Sequence, residues 1–181
     1  MRVKLLVTVM AMIVSAVAHA SEIPLDLTTL IQRAQSGDAK AQFDLGLKYA
    51  QADGVAKNEA EAKKWLRKSA DQGYTVAEFV VGLNYFNGEG VKKNYGEALK
   101  WFHKSADKGD MYAQAYLGGM YLDGLGVAVN KVQAYKWFVL AAAQGNKDTE
   151  EDRTKLEQTM SPAEIAEAKK LSAEWKPKKG N

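Results

Sequence analysis

Cysteine is absent from this chain of 181 residues, and only three prolines and two histidines occur in it. Without cysteine, no disulfide and no thiolate centre can form, even in an oxidising compartment. One histidine, His19, lies near the N-terminus, which leaves His103 as the single candidate for histidine chemistry. No motif accompanies it, so we predict a solvated histidine on a helix surface, with a pH switch at an interface as the alternative. We predict no catalytic site, no metal site and no cofactor.

Long apolar runs are also absent, with one exception at the N-terminus. Arg2 and Lys4 precede an uncharged apolar run over residues 5–17, and Ala18, His19 and Ala20 follow it. A basic start, a short apolar stretch and a small-residue ending are typical of a secretory signal peptide. We therefore predict a signal peptide over residues 1–20, cleaved after Ala20, and a periplasmic or secreted mature protein. An uncleaved membrane anchor is the alternative, although the run is shorter than the roughly 20 residues that span a bilayer.

A strong excess of one charge is lacking as well. The net charge of +3 falls by two when Arg2 and Lys4 are removed, so the mature chain has no electrostatic reason to bind nucleic acid. With 46% apolar and 26% charged residues, the composition fits one ordinary globular domain. The remaining basic excess is in Lys176, Lys178 and Lys179, and we predict a frayed basic tail over residues 176–181.

Regularity is the dominant feature of the rest of the chain. A period of 36 residues runs three times, without insertion, over residues 38–145. In the first half of each copy, four positions recur: Ala41, Ala77 and Ala113; Leu45, Val81 and Leu117; Gly46, Gly82 and Gly118; and Tyr49, Tyr85 and Tyr121. The second half repeats Gly54, Gly90 and Gly126; Asn58, Asn94 and Asn130; Ala62, Ala98 and Ala134; Trp65, Trp101 and Trp137; and Gly73, Gly109 and Gly145. A fixed period of this length indicates tandem structural repeats.

Each copy is predicted to form two helices. The repeated alanine, leucine or valine, and tyrosine are spaced i, i+4 and i+8, which places them on one helical face. The adjacent glycine lets a neighbouring helix approach closely, and the later glycine, such as Gly54, is expected to end the first helix with a positive φ. The second helix is expected to begin with a capping box, in which asparagine is followed three residues later by Glu61, Glu97 or Gln133.

The ends of the array are predicted to be sealed by extra helices, because a terminal hairpin cannot bury its apolar face alone. Residues 21–37 resemble a second helix without its first and form an N-terminal capping half repeat. Residues 146–175 form C-terminal capping helices, the last of which begins at Ser161 with Pro162 and Glu164 in a capping box.

The pattern Ala-x-x-x-Leu-Gly-x-x-Tyr, Gly-x-Gly-Val, Asn-x-x-x-Ala-x-x-Trp and Ala-x-x-Gly resembles the Sel-one-like repeat, a relative of the tetratricopeptide repeat. The first copy departs from it only by Ala52 in place of the first glycine of Gly-x-Gly. The resemblance implies an all-α fold, a right-handed superhelical solenoid of helical hairpins with a concave face that binds other proteins. Secreted bacterial members that the chain resembles include envelope regulators, host-interaction factors and immunity proteins against delivered phospholipase effectors.

One enzymatic alternative comes from Ser105 and Lys108, which match the Ser-x-x-Lys of penicillin-recognising enzymes. Some Sel-one-like proteins have been linked to penicillin binding, so a cell-wall or β-lactam hydrolase is the alternative function. The repeat offers a structural explanation, since Ser69 occupies the same place in the first copy. No Lys-Thr-Gly or Ser-Asp-Asn accompanies Ser105, and we predict that the protein is not an enzyme.

The positions of the first helices that vary between copies are the candidates for binding a partner. They are Asp44, Lys48, Val80, Asn84, Tyr112, Tyr116 and Met120. Tyr112, Tyr116 and Met120 are spaced i, i+4 and i+8, and large side chains with little entropy to lose are common interface anchors. Packing between consecutive repeats is the alternative explanation. We therefore predict a periplasmic interaction scaffold. An immunity protein against a phospholipase effector is its more specific form, and a structural organiser of an envelope assembly is an alternative.

Overall fold

The computed structural model describes residues 26–178, and this stretch consists of nine α-helices without a strand. The predicted signal peptide and residues 179–181 of the predicted tail lie outside it. The helices are α1 (Leu27–Gln35), α2 (Ala39–Gln51), α3 (Glu59–Asp71), α4 (Thr75–Asn87), α5 (Tyr95–Asp107), α6 (Met111–Asp123), α7 (Lys131–Ala143), α8 (Lys147–Glu157) and α9 (Pro162–Glu174). Consecutive helices pack on one another along the chain, so the prediction of an all-α solenoid of hairpins is confirmed.

Three hairpins, α2–α3, α4–α5 and α6–α7, form the body of the solenoid. Gly46, Gly82 and Gly118 allow the two helices of each hairpin to touch. A Cβ atom at Gly46 would lie 2.8 Å from Leu66 Cγ, and one at Gly82 would lie 2.7 Å from the Phe102 ring. The predicted close approach at these glycines is therefore confirmed, because any larger side chain would displace the facing helix.

The repeated residues form the core. Leu45 and Leu117 expose 1% and 0% of their surface, and the tryptophans Trp65, Trp101 and Trp137 expose 8% or less. Burying side chains of this size contributes on the order of 2 kcal/mol each. The interpretation of the repeated tryptophans as packing residues is confirmed by this burial.

The first helix of each hairpin ends two residues earlier than predicted. Its C-cap takes a left-handed conformation at Ala52, Gly88 or Gly124, with φ of 60°, 79° and 69°. The later glycines also have positive φ, but they lie in the loop, where Gly126 packs against the backbone of Tyr95. The departure at Ala52 leaves the turn geometry unchanged, although alanine is strained in this conformation.

The predicted capping boxes are only half formed in the three repeats. The side chain of Asn94 accepts a hydrogen bond from the backbone N–H of Glu97, as predicted. The backbone N–H of Asn94, however, donates to the carbonyl of Tyr85 at 2.9 Å, while the Glu97 carboxylate binds Lys100. The same N–H to tyrosine carbonyl bond recurs in the other two copies. The cap thus ties the second helix to the first and leaves no N–H for the glutamate.

Both ends of the hairpin array carry additional helices. At the N-terminal end, α1 buries Leu30 and Ala34 beside α2. At the C-terminal end, α8 and α9 both pack on α7, and Ser161 and Glu164 form a complete capping box at the start of α9. The C-terminal residues up to Lys178 differ from a frayed tail, because the Lys178 N–H donates to a carbonyl of α5 at 2.7 Å.

Candidate protein-interaction surface

The seven residues predicted to bind a partner follow one another along the first helices of the hairpins, and we call them the first-helix row. Two lie on α2, two on α4 and three on α6, so the row crosses all three hairpins. Its members are Asp44 and Lys48, Val80 and Asn84, and Tyr112, Tyr116 and Met120.

The end of the row on α2 carries charges of both signs. Lys40 Nζ lies 3.4 Å from the Asp44 carboxylate, and Lys48 Nζ lies 2.8 Å from the Asp53 carboxylate. The side chains of Asp44 and Lys48 are 30% and 28% exposed. Ion pairs near the surface contribute little to stability. These side chains can therefore exchange their partners within the chain for charged groups of another protein.

The middle of the row, on α4, combines a buried and an accessible residue. Val80 exposes only 4% of its surface and belongs to an apolar cluster with residues of α2 and α3. Asn84 is half-buried and lines a cleft of about 380 Å³ between the first and second hairpins. Lys63 and Glu89 line the same cleft. The cleft thus offers an amide, an ammonium and a carboxylate group for hydrogen bonds.

The end of the row on α6 is aromatic. The ring centroid of Tyr112 lies 6.0 Å from that of Phe79, and the centroid of Tyr116 lies 5.0 Å from that of Phe102. Met120 exposes 1% of its surface within the same cluster. Tyrosines of the third hairpin therefore pack on both helices of the second.

The alternative of packing between repeats accounts for part of the row. Val80 and Met120 expose 4% and 1% of their surface in apolar clusters, so they contribute mainly to packing, although Val80 also lines the cleft beside Asn84. Tyr112 and Tyr116 pack with one part of each ring and remain partly exposed. Partner binding stays a prediction for the accessible residues of the row, which are Asp44, Lys48, Asn84, Tyr112 and Tyr116.

Tyr116 keeps its hydroxyl proton at any physiological pH. Burial, with a smaller effect from the charge of Glu89, raises the pKa of Tyr116 to about 12. A protonated phenol both donates and accepts hydrogen bonds. Glu89, in the loop between α4 and α5, lies near both the cleft and the aromatic end of the row, and the sequence pattern did not single it out.

The repeat pattern does not indicate the aromatic residues that pack against the first-helix row. Phe86 packs edge-on against Tyr116 at 5.3 Å and against Tyr95 at 5.2 Å. The corresponding position in the other copies holds Ala50 or Leu122. Because this position holds a different residue in each copy, the repeat period gives no sign of it. The signal that could have found them is an aromatic side chain that replaces a small or aliphatic one in a single copy.

Ser105 and Lys108 have structural partners. Ser105 is fully buried and its hydroxyl donates to the carbonyl of Thr75 at 3.0 Å. Ser69 makes the equivalent bond to the carbonyl of Ala39 at 2.6 Å. Lys108 Nζ lies 2.8 Å from Glu78 Oε1. A buried hydroxyl that donates to the backbone presents no nucleophile to a β-lactam, so this geometry does not support the hydrolase alternative.

His103 differs from the predicted solvated histidine. Its Nε2 lies 3.1 Å from the hydroxyl of Tyr121, and its ring packs edge-on against Trp137 with centroids 5.6 Å apart. Burial lowers the pKa of His103, and the charge of Asp107 partly opposes that effect. His103 therefore belongs to the packing between the second and third hairpins.

Two further properties concern residues 26–178 as a whole. Within them, no group of three or more histidine and acidic side chains is placed to hold a metal ion. No helix of this stretch combines the length and apolar character that crossing a membrane requires.

A solenoid of helical hairpins, in which one row of side chains differs from copy to copy, is typical of helical-repeat proteins. The chain matches the Sel1 repeat three times, over residues 39–74, 75–110 and 112–146. Because these matches cover more than half of the sequence, the chain belongs to the Sel1 repeat, or Sel-one-like, family. Sel1 repeat proteins generally mediate protein–protein interactions, and their fold is typically a scaffold without catalytic activity.

Solved structures of the family are similar to this chain. One is c5321, a protective antigen present in uropathogenic Escherichia coli strains displaying an SLR fold, with 48% identity and a TM-score of 0.66. The match covers 69% of this chain but 27% of that one, so the chain spans about a quarter of its length. Another is a Sel1 repeat protein from Oxalobacter formigenes, with 38% identity, a TM-score of 0.70, and coverage of 72% and 98%. No curated protein matches the chain.

Proposed function

We propose that the protein is a periplasmic interaction scaffold that captures a protein partner on the concave face formed by its first helices. The observation that carries the proposal is the difference between repeated and varied positions on α2, α4 and α6. The alanine, leucine or valine, and glycine positions that repeat on these helices are buried, and the repeated tyrosines are half-buried. Asp44, Lys48 and Asn84 change between copies and reach solvent. A rigid surface of varied chemistry on a uniform framework is the arrangement that solenoids use to bind proteins.

The chemistry of the row suggests how a partner is recognised. Its aromatic end offers Tyr112 and Tyr116, whose rings can bury a large area at a small cost in side-chain entropy. Its charged end offers Asp44 and Lys48, which favour correct orientation and fast association rather than raw affinity. A partner that matches both ends carries an apolar patch beside charges of both signs.

The proposed location rests on the N-terminal sequence. Arg2, Lys4, the apolar run and the ending at Ala20 have the order of a secretory signal peptide. The absence of cysteine is compatible with an oxidising compartment, since no thiol needs protection there. The test is the N-terminal residue of the protein recovered from a periplasmic fraction, which is Ser21 if cleavage follows Ala20. A protein that retains Met1 in the membrane fraction would contradict this location.

The binding face is tested by charge reversal. Lys48→Glu combined with Asn84→Arg changes the row without touching the core, and we expect it to weaken capture of the envelope partner by about tenfold or more. Lys100→Glu combined with Ala60→Arg is the matched control, because it makes the same change in charge on second helices, where the Lys100 side chain is 70% exposed and Ala60 is exposed. Binding that falls equally in both variants, or in neither, would contradict the proposed face.

A more specific form of the proposal is an immunity protein that blocks a phospholipase effector delivered by other bacteria. It is supported by the signal-like N-terminus, the small size of the chain and the resemblance to secreted members of the family. The test is lipid release by such an enzyme in the presence of the purified protein. We expect inhibition that Lys48→Glu with Asn84→Arg abolishes. An effector that keeps its full activity would remove this form and leave the scaffold proposal in place.

A further inference from the structure

Three junctions join each hairpin to the helix that precedes it, and each is built from two side chains that lie 30 residues apart. At the first junction, Gln42 Nε2 donates to the carbonyl of Ala34 at 3.0 Å, and Gln72 Nε2 donates to Gln42 Oε1 at 2.7 Å. The third junction repeats the arrangement with Gln114 and Gln144, at 3.3 Å and 2.8 Å. The first glutamine of each pair thus donates to a carbonyl near the end of the preceding helix and accepts a hydrogen bond from the second glutamine.

The middle junction replaces both glutamines by charged residues. Glu78 stands at the position of Gln42, and Lys108 stands at the position of Gln72; Lys108 Nζ binds Glu78 Oε1 at 2.8 Å. The Glu78 side chain is only 4% exposed, and its Oε2 has no hydrogen-bond partner among residues 26–178. The carbonyl of Ala70 loses the glutamine donor but still accepts from the backbone N–H of Gly73 at 2.9 Å, and Lys108 Nζ also donates to the carbonyl of Gly73 at 2.7 Å. A buried acceptor without a donor is costly unless another molecule supplies one.

Both acceptors line a cleft of about 370 Å³ between the C-terminal ends of α3 and α5, which we call the polar cleft. Asp71, His103 and Asp107 contribute to its walls together with Lys178. The cleft is large enough for a side chain, and of these two acceptors only Glu78 Oε2 has no hydrogen-bond donor among residues 26–178. It lies apart from the first-helix row, none of whose residues lines it.

The rim of the polar cleft already holds an extended peptide, which is the chain's own segment 175–178. The backbone N–H of Lys178 donates to the carbonyl of Asp107 at 2.7 Å, and Lys178 Nζ lies 2.6 Å from the Asp107 carboxylate. Trp175 and Pro177 lie beside Gly109, close to where a Cβ atom would be. The Lys178 side chain is nevertheless 74% exposed. An ion pair this exposed holds the segment weakly.

We infer that the polar cleft is a second protein-binding site, which takes an extended, lysine-bearing segment of a partner in place of residues 175–178. The chain's own segment shows the chemistry that the rim accepts: a main-chain N–H, an ammonium on Asp107 and flat apolar groups over Gly109. A second basic or amide group of the partner segment then donates to Glu78 Oε2. Peptides that lie extended along a groove commonly combine main-chain hydrogen bonds with a few anchoring side chains.

The chain's own segment competes with such a partner, because a tethered segment has an effective concentration in the millimolar range. The probe for the test is a fluorescent peptide with the sequence of residues 173–179, Ala-Glu-Trp-Lys-Pro-Lys-Lys. It is added to the full mature chain and its fluorescence anisotropy is followed. We expect Lys178→Ala in the chain to strengthen peptide binding by about tenfold by weakening the competitor, and Trp175→Ala to act in the same direction.

Two variants test whether the peptide binds where we infer. Both are placed in the Lys178→Ala chain, because Asp107 also binds the chain's own competing segment. In that chain, Asp107→Asn should weaken peptide binding at least threefold relative to Asp123→Asn, which removes an exposed carboxylate at the end of α6. Glu78→Gln combined with Lys108→Gln recreates the glutamine pair of the flanking junctions and so keeps the fold, which circular dichroism checks. It should leave binding of this peptide unchanged, because residues 175–178 do not pair with Glu78 Oε2 in the chain itself.

The inference is overturned if the peptide does not bind to either the Lys178→Ala or the Trp175→Ala chain. It is equally overturned if Asp107→Asn binds the peptide as tightly as Asp123→Asn, since the contact would then lie elsewhere. Variants of the first-helix row should not change peptide binding. A negative result with the peptide therefore does not affect the proposed function. A negative result with the first-helix row variants likewise does not affect the polar cleft.

Discussion

The middle junction and its two neighbours use one backbone arrangement with different side chains. The neighbours are held by Gln42 with Gln72 and by Gln114 with Gln144, which satisfy one another as neutral amides. The middle junction holds a charged pair, and one carboxylate oxygen of Glu78 has no donor within the described part of the chain. The difference teaches that repeated geometry does not require repeated chemistry. Positions where one copy departs from the others are the places to look for binding.

The largest effect on stability is expected at Gly118, a glycine that all three copies share. Gly119, which only one copy has, is its control. A Cβ atom at Gly118 would overlap the ring of Phe138, whereas one at Gly119 would meet nothing within 4 Å. We expect Gly118→Ala to lower the free energy of unfolding by about 3 kcal/mol through overpacking. Gly119→Ala should raise it by about 0.5 kcal/mol, because alanine favours a helix. Urea denaturation measures both, and equal effects at the two positions would contradict the close packing of the hairpin.

The next largest effect concerns the charged pair itself. Lys108→Gln alone leaves the buried Glu78 carboxylate without its cation and should cost about 2 kcal/mol, less than for a fully buried pair because Lys108 is 17% exposed. Glu78→Gln with Lys108→Gln should restore stability to within about 1 kcal/mol of the parent, since it copies the flanking junctions. Thermal unfolding of the single and double variants checks this. A double variant less stable than the single one would show that the junctions are not interchangeable.

A smaller effect compares the first loop with the other two. Ala52 takes a left-handed conformation that Gly88 and Gly124 take in the other loops. We expect Ala52→Gly to stabilise the protein by about 1 kcal/mol and Gly88→Ala to destabilise it by a similar amount. The two midpoints of chemical denaturation should move in opposite directions. A shift of the same sign in both would mean that the loops do not share one geometry.

The smallest effect is a pH dependence from His103. Burial lowers its pKa below the ordinary value of 6.5, so the unfolded chain binds a proton at a higher pH than the folded chain does. Stability should therefore fall as the pH drops through 6.5, and become level below the folded pKa. His103→Gln should flatten this part of the profile, measured as the difference in unfolding free energy between pH 7.5 and pH 5.5, about one unit either side of the ordinary pKa. An unchanged profile would show that acidic residues alone set the dependence.

Much of the fold could be predicted from the sequence, because small and aromatic residues at a fixed period leave few ways to bury them. The positions of Gly46, Gly82 and Gly118 predicted the close contact of paired helices. The capping of the second helices was predicted only in part. Asparagine predicts an N-cap from local sequence, but the carbonyl of Tyr85 that takes the Asn94 N–H comes from the preceding helix. A contact between helices is not contained in a four-residue motif.

The candidate surface could be predicted less well, for a related reason. The varied positions were chosen by helical periodicity, which separates one face of a helix from another but does not show how the next hairpin covers that face. Val80 and Met120 therefore lie in apolar clusters, while Asn84 lines a cleft. The polar cleft was not predicted at all, because Glu78 and Lys108 are 30 residues apart and gain meaning only when compared with the glutamines of the flanking copies.

The central claim is that the varied positions of the first helices contact a protein partner while the exposed face of the second helices around Lys100 does not. It is tested most directly by placing a photo-crosslinking amino acid at Asn84 and, as the matched control, at Lys100 of the intact protein in living cells. We predict one discrete crosslinked product from position 84 and none from position 100. No product from position 84, or the same product from both positions, would contradict the claim.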